Sequence, residues 1–205
     1  MSDAGALLSL IRERRSIRRF RDEPVQKEIL IRLIESASWA PSASNRQDWF
    51  FAVVTSDAVK RDMADAVRRR WDEIIAANRG SGVIEEVERY VEHFGDFAGA
   101  PVVIAVAARV PDAVQRHLLG DAAAATAGSA TSAAMAAQNL MLAAHALGLG
   151  SCCMTGALAA RDELGRLLDL GKRHEIVCLI AVGWPAETPA PPPRKPISEI
   201  ARFVE

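Results

Sequence analysis

No Asp, Glu, Lys or Arg interrupts the chain from Ala122 to Gly150, and nearly half of that run is alanine, with Ser, Thr, Gln, Asn and His set inside it. It is long enough to cross a bilayer, which takes ~20 apolar residues, but its polar side chains point to a helix buried in protein. Alanine is the strongest helix former, and Gly148 supplies a C-terminal stop signal. The pattern predicts a helix from Asp121 to Leu147. Side chains this small let helices approach closely, so Ala123–Ala137 is expected to pack against another helix. That neighbour is either its own copy in a dimer or a helix of the same core.

The rest of the chain is more mixed. Leu7, Leu8, Leu10 and Ile11 fit an amphipathic helix over about Ala4–Arg14, and Leu30, Leu33, Ile34 and Ala37 form a helical stripe over Lys27–Trp39. Apolar runs at Trp49–Thr55, Val102–Ala107 and Ile176–Val182 read as buried strands, with Ser151–Met154 as a shorter one. Ser56-Asp57 suits a helix N-cap. A charged helical stretch follows to about Phe97, broken near Asn78–Gly82, and Arg161–Leu168 reads as a short helix. Pro185, Pro189, Pro191, Pro192, Pro193 and Pro196 crowd the tail, which is expected to be an extended arm without the donors to sit inside a sheet. Strands and helices do not alternate as βαβ. The expected class is therefore α+β, a small central sheet with helices packed on it, in one domain over 1–205 whose arm covers about 184–205.

Composition excludes several classes of function. Of 205 residues, 50% are apolar and 25% charged, with a net charge of −1, so nothing points to nucleic acid or an anionic membrane. Met1-Ser2-Asp3 opens no secretory signal. Three cysteines, Cys152, Cys153 and Cys178, argue for a reducing cytoplasm rather than a disulfide framework. His93, His117, His145 and His174 lack metal-ligand spacing, so no metal site is expected.

Two segments carry candidate chemistry. Arg14-Arg15-Ser16-Ile17-Arg18-Arg19-Phe20 concentrates guanidinium groups, which bind phosphate in bidentate fashion and stay charged, beside a hydroxyl donor. Taken alone, the run fits a solvated helix end better. Ala40-Pro41-Ser42-Ala43-Ser44-Asn45-Arg46-Gln47-Asp48-Trp49 is a small-residue loop able to offer hydroxyl, amide and backbone donors to a heteroaromatic edge; an ordinary helix-to-strand connection has the same composition.

Together with Gln138–Ala144 leading to Ala146–Ser151, Ile180-Ala181-Val182-Gly183-Trp184-Pro185 and Pro193-Arg194-Lys195-Pro196, these segments in this order resemble the nitroreductase-like flavin oxidoreductases. The resemblance implies a mostly antiparallel central sheet flanked by helices and an intertwined homodimer with FMN at its interface. It implies phosphate, ribityl and pyrimidine-edge contacts from Arg14, Arg15, Ser16 and Arg18. Pro41, Ser42, Ala43, Ser44 and Asn45 become the loop given by the partner subunit. Cys153, Met154, Thr155 and Gly156 match the segment along the isoalloxazine, where a backbone N–H faces N5, and Arg194 matches a late basic residue closing over the phosphate.

This sequence departs from the pattern at Asp48, where proline is usual, at Thr155, where some members have Glu, and at Cys153, where those members have Pro. The flavin carries the chemistry in such enzymes, so no catalytic side chain is expected. The implied activity is hydride transfer from NADH or NADPH, by ping-pong, to a nitroaromatic, quinone or related conjugated acceptor. The alternatives are a flavin-fragmenting or dehalogenating branch and a flavin-binding protein without turnover. The sequence also suggests buried thiols at Cys152 and Cys153, core positions for Trp39 and Trp49, and a solvated face at Arg68-Arg69-Arg70. Trp71 and Tyr90 fall in the helical stretch where this family often covers its substrate pocket, and core packing suits them equally.

Overall fold

A computed structural model of the chain describes residues 3–80, 87, 91–120 and 128–204. Its elements are α1 (Asp3–Glu13), α2 (Lys27–Ser38), β1 (Trp49–Val54), α3 (Asp57–Ala77), β2 (Val102–Arg109), α4 (Ala113–Leu119), α5 (Ser129–Ala146), β3 (Gly150–Met154), α6 (Arg161–Leu167), β4 (His174–Gly183) and α7 (Ile197–Ile200), with 3-10 turns at Ala43–Asn45, Glu92–Gly99 and Gly156–Ala160. The strands form one antiparallel sheet in the order β1-β2-β4-β3. This is the expected α+β class.

The sheet is covered on both faces, which is why β2 reads as an unbroken apolar run. Val102, Ile104 and Val106 face α2 and α5, together with Cys178, Ile180 and Val182 of β4. Val103, Ala105 and Ala107 face the other layer, where Met63, Ala64 and Val67 of α3, Phe97 and Leu164 of α6 meet Leu179, Ala181 and Cys152. Ser56 caps α3, its hydroxyl accepting from the Val59 N–H. Lys60 is buried at the joint between α3 and β2, donating to the Ala100 carbonyl at 2.5 Å and the Pro101 carbonyl at 3.2 Å. Asp57 sits 2.9 Å from the same ammonium group, and that hydrogen bond lowers its pKa.

Within its own chain the alanine-rich helix packs on α2. Ala133, Ala136, Ala137, Leu140 and Ala144 of α5 pack on α2 and the sheet in one core. Within the described residues it runs only from Ser129, after Gly128 at φ +70°; residues 121–127 of the expected helix lie outside them. It ends as the sequence predicts: the Gly148 N–H bonds to the His145 carbonyl and the Leu149 N–H to that of Ala144.

Two further expectations need correction. Trp39 is 85% exposed instead of core. It follows the last buried position of α2, Ala37, by two residues, which at 3.6 residues per turn aims it away from the buried stripe. The tail does not leave the fold at Trp184: Phe20 bridges Pro185, the stretch from Pro189 to Arg194 stays beside the segment after α1, and the exposed end that follows includes the short helix α7.

Candidate functional site

The arginine-rich segment follows α1 and runs along the outer edge of β3. Ser16 forms a parallel bridge with Ser151, and the Ile17 N–H donates to the Ser151 carbonyl at 3.0 Å. The approach is close enough that a Cβ on Gly150 would lie 2.7 Å from Ile17. Glu187 ties the same segment to the start of the arm, its carboxylate accepting from the Arg18 N–H at 2.6 Å and the Arg19 N–H at 3.0 Å. The Arg18 N–H bond is the main reason that the Glu187 pKa is lowered. Neither Glu187 nor Ser151 stands out in the sequence, because their partners are backbone groups far away along the chain.

The result is a cavity of about 350 Å³ lined by Arg14, Arg15, Ser16 and Arg18 from one end of the chain and by Pro189, Ala190, Pro192 and Arg194 from the other. Four arginines border it. They are not equivalent. Arg15 turns back on the end of α1 and donates to the carbonyls of Arg12 at 2.6 Å and Arg14 at 2.9 Å. For Arg15 the helix-end reading therefore holds, although it also borders the cavity.

Cys153, Met154, Thr155 and Gly156 continue from this edge, at the end of β3 and into the following turn. Cys152 is buried against the α3 layer, but Cys153 is exposed, which corrects the expectation of two buried thiols. Alternation along an edge strand turns adjacent side chains to opposite faces. The neighbouring Cys178 thiol holds the Cys153 pKa down to about 7, with Arg14 helping, while Cys178 itself is pushed up. Beyond it, the Trp71 indole N–H of α3 donates to the Gly156 carbonyl at 2.9 Å. Among the described residues no His, Cys, Asp and Glu groups could hold a metal ion.

Pro41, Ser42, Ala43, Ser44 and Asn45 are elsewhere. They precede β1, at the opposite edge of the sheet, and none of them lines the arginine cavity. Three strand spacings of ~4.8 Å separate the two edges. The loop is nonetheless held in a defined shape. Ser44, Asn45 and Gln47 have φ of 52°, 53° and 52°, a left-handed conformation that costs free energy for residues other than glycine. The Ser42 hydroxyl accepts from the Gln47 N–H at 3.1 Å. Asp48 anchors the end, taking Arg46 Nε at 2.7 Å and the Ser129 hydroxyl of α5 at 3.1 Å. The departure at Asp48 thus serves as a polar anchor between loop and helix.

The profile of the family described as "Nitroreductase family" matches residues 11–184. The chain belongs to that family. An NADH dehydrogenase of Thermus thermophilus is 30% identical over 212 residues, covering 92% of this chain and 91% of that protein. A 5,6-dimethylbenzimidazole synthase of Rhodospirillum rubrum is 31% identical over 199 residues, covering 95% and 86%. The crystal structure of a BluB-like flavoprotein from Clostridium difficile superposes with a TM-score of 0.85 at 26% identity, covering 97% of this chain and 99% of that one. The chain is thus a nitroreductase-family oxidoreductase with the fold of that family, as its ordered motifs imply. Among the described residues no helix is long and apolar enough to cross a membrane.

Proposed function

We propose that this protein binds FMN between two copies of itself and passes hydride from NADH or NADPH to a nitroaromatic, quinone or related conjugated acceptor in the cytoplasm. The observation that carries the reading is the cavity in which Arg14, Arg18 and Arg194, with Arg15 and Ser16, converge from both ends of the chain. A terminal phosphate fits such a cavity, because guanidinium groups pair with its oxygens in bidentate fashion.

From that anchor the ribityl and ring of FMN would extend along Cys153, Met154, Thr155 and Gly156. The chain's own Pro41–Asn45 loop sits at the wrong edge of its sheet to reach the ring, so a second copy supplies it. The arm supports the same assembly. Ile197, Ile200, Phe203 and Val204 are 62–85% exposed. Between α2 and the open edge of β1 lies an apolar groove of about 590 Å³ lined by Val25, Leu30, Ile31, Ile34 and Val53 among others. An arm held in its own cavity as far as Arg194 leaves residues 195–205 free, which reach roughly 30 Å at ~3.1 Å per residue, toward the groove of a second copy.

When bound, FMN supplies two-electron hydride chemistry that needs no acid–base side chain. The residues of this chain fix its phosphate, place positive charge near the ring and wall off one face. One remaining open face makes reductant and acceptor take turns, so the kinetic form is ping-pong. The test is direct: the purified protein should be yellow, release FMN and not FAD on denaturation, and bleach under anaerobic NADH or NADPH. A colourless protein that cannot be reconstituted with FMN would exclude this function. A flavin-fragmenting branch is the second reading, favoured by the similarity to the synthase and by Cys153 and Thr155. Stoichiometric loss of the flavin spectrum when the reduced flavin is exposed to air, in place of its reoxidation and without acceptor turnover, would select it. Bound flavin that no nicotinamide bleaches would mark a binding protein without turnover.

A further inference from the structure

The segment Cys153–Gly156 must hold its backbone at one height for an amide to meet a ring beside it, and three observations show how that height is fixed. The Trp71 indole N–H donates to the Gly156 carbonyl at 2.9 Å. The Phe94 ring lies against Gly156 so closely that a Cβ there would fall 2.6 Å from its carbon atoms. Trp71 and Phe94 also touch each other, with ring centroids 5.1 Å apart and planes at 47°, a tilted geometry that aromatic pairs favour. The three groups come from α3, from the Glu92–Gly99 turn and from the turn after β3. Each of the three touches the other two.

We propose that Trp71 and Phe94 are positioning residues for the flavin site. Trp71 pulls on the Gly156 carbonyl and Phe94 presses on its Cα, and together they orient the peptide groups of Met154–Gly156 toward the ring. Neither touches the flavin; both act through Gly156. The inference rests on the FMN reading above. It explains why position 156 must be glycine although its backbone is not in the left-handed region, and it gives the central part of α3 a role in redox tuning. Peptide dipoles beside a redox ring act where solvent is excluded, so small displacements change the relative affinity for its two oxidation states.

Trp71→Phe keeps the ring against Phe94 and removes only the N–H donor. We expect FMN to bind three- to ten-fold more weakly, in line with one lost hydrogen bond of about 1 kcal/mol. The ratio of affinities for oxidised and reduced FMN should change about three-fold, which is roughly 15 mV in the midpoint potential of a two-electron couple. Gly156→Ala should do more, and Gly156→Ala combined with Phe94→Ala should recover part of the loss. The readouts are FMN fluorescence quenching, the potential against a reference dye, and the urea midpoint of the FMN-free protein. A Trp71→Phe protein whose urea midpoint falls while FMN affinity and potential stay at wild-type values would make the contact structural only and overturn the inference. So would a double variant no better than Gly156→Ala alone. Wild-type protein that takes up no FMN would remove the underlying reading instead, and is seen before any variant is made.

Discussion

The two edges of the sheet are finished differently. At the β3 edge the chain closes its own structure: Ser16 bridges Ser151, Glu187 ties Arg18 and Arg19 to the arm, and four arginines share one cavity. At the β1 edge it leaves an open strand, an apolar groove and a strained loop held by Asp48. An exposed edge with unpaired backbone groups invites another chain. On the proposed reading, one half of the site is complete in each copy and the other half is delivered to a neighbour. A site split in this way makes cofactor binding and assembly one equilibrium, since whatever binds only the assembled state stabilises it by mass action.

Deleting residues 189–205 strikes both edges at once, because it removes Arg194 from the cavity and the cover from the groove. It should convert a dimer into a monomer and lower FMN affinity by about 100-fold or more, read by light scattering and fluorescence titration. A truncated dimer with wild-type affinity would break the comparison. Within the β3 edge, Arg14→Ala and Arg18→Ala should each cost about ten-fold or more in FMN affinity, for a charge-assisted contact of roughly 1.5–3 kcal/mol. Arg15→Ala should cost about three-fold or less, because its guanidinium is engaged by the Arg12 and Arg14 carbonyls. Equal losses at all three positions would remove that distinction. At the β1 edge, Asp48→Ala strands Arg46 and the Ser129 hydroxyl and should lower stability by about 1–2 kcal/mol in urea, with a smaller effect on FMN affinity that appears only in the dimer.

The strands and the stripe of α2 are legible in the sequence because burial on both faces of the sheet writes long apolar runs, as in Val102–Ala108. The arginine segment is legible as chemistry only through its likeness to a family, since the same residues suit a helix end, and Arg15 does behave that way. What stays hidden is whatever depends on distant backbone. Glu187 looks like an ordinary tail residue until two N–H groups 168 and 169 positions away are brought to it. Trp39 looks like core until its angle on α2 is known. Asp48 looks like a loss of the usual proline, and only the approach of Ser129 shows the anchor that replaces it.

The smallest expected effect concerns the thiols at the β3 edge. Cys153 is exposed and its pKa is lowered to about 7 by the neighbouring Cys178 thiol, so in FMN-free protein its alkylation by iodoacetamide should rise with pH to half-maximum near 7. Cys152 is buried and its pKa is raised by desolvation, so it should react far more slowly over the same range. Such a thiolate beside a redox site invites a role as an electron relay, and the geometry argues against one. Hydride transfer through a bound ring needs no second carrier. Of its possible thiol partners, Cys152 points to the opposite face of the strand, and Cys178 beside it is buried with its pKa pushed up, so that thiol stays protonated and unreactive. Cys152→Ser and Cys153→Ser should therefore keep most of their turnover with a quinone acceptor, with parallel initial-rate lines as in the wild type. Bound FMN should slow alkylation of Cys153 by covering it. Full flavin occupancy with turnover lost in Cys153→Ser would put the thiol into the mechanism, and the β3 edge would then supply a reacting group as well as a phosphate anchor.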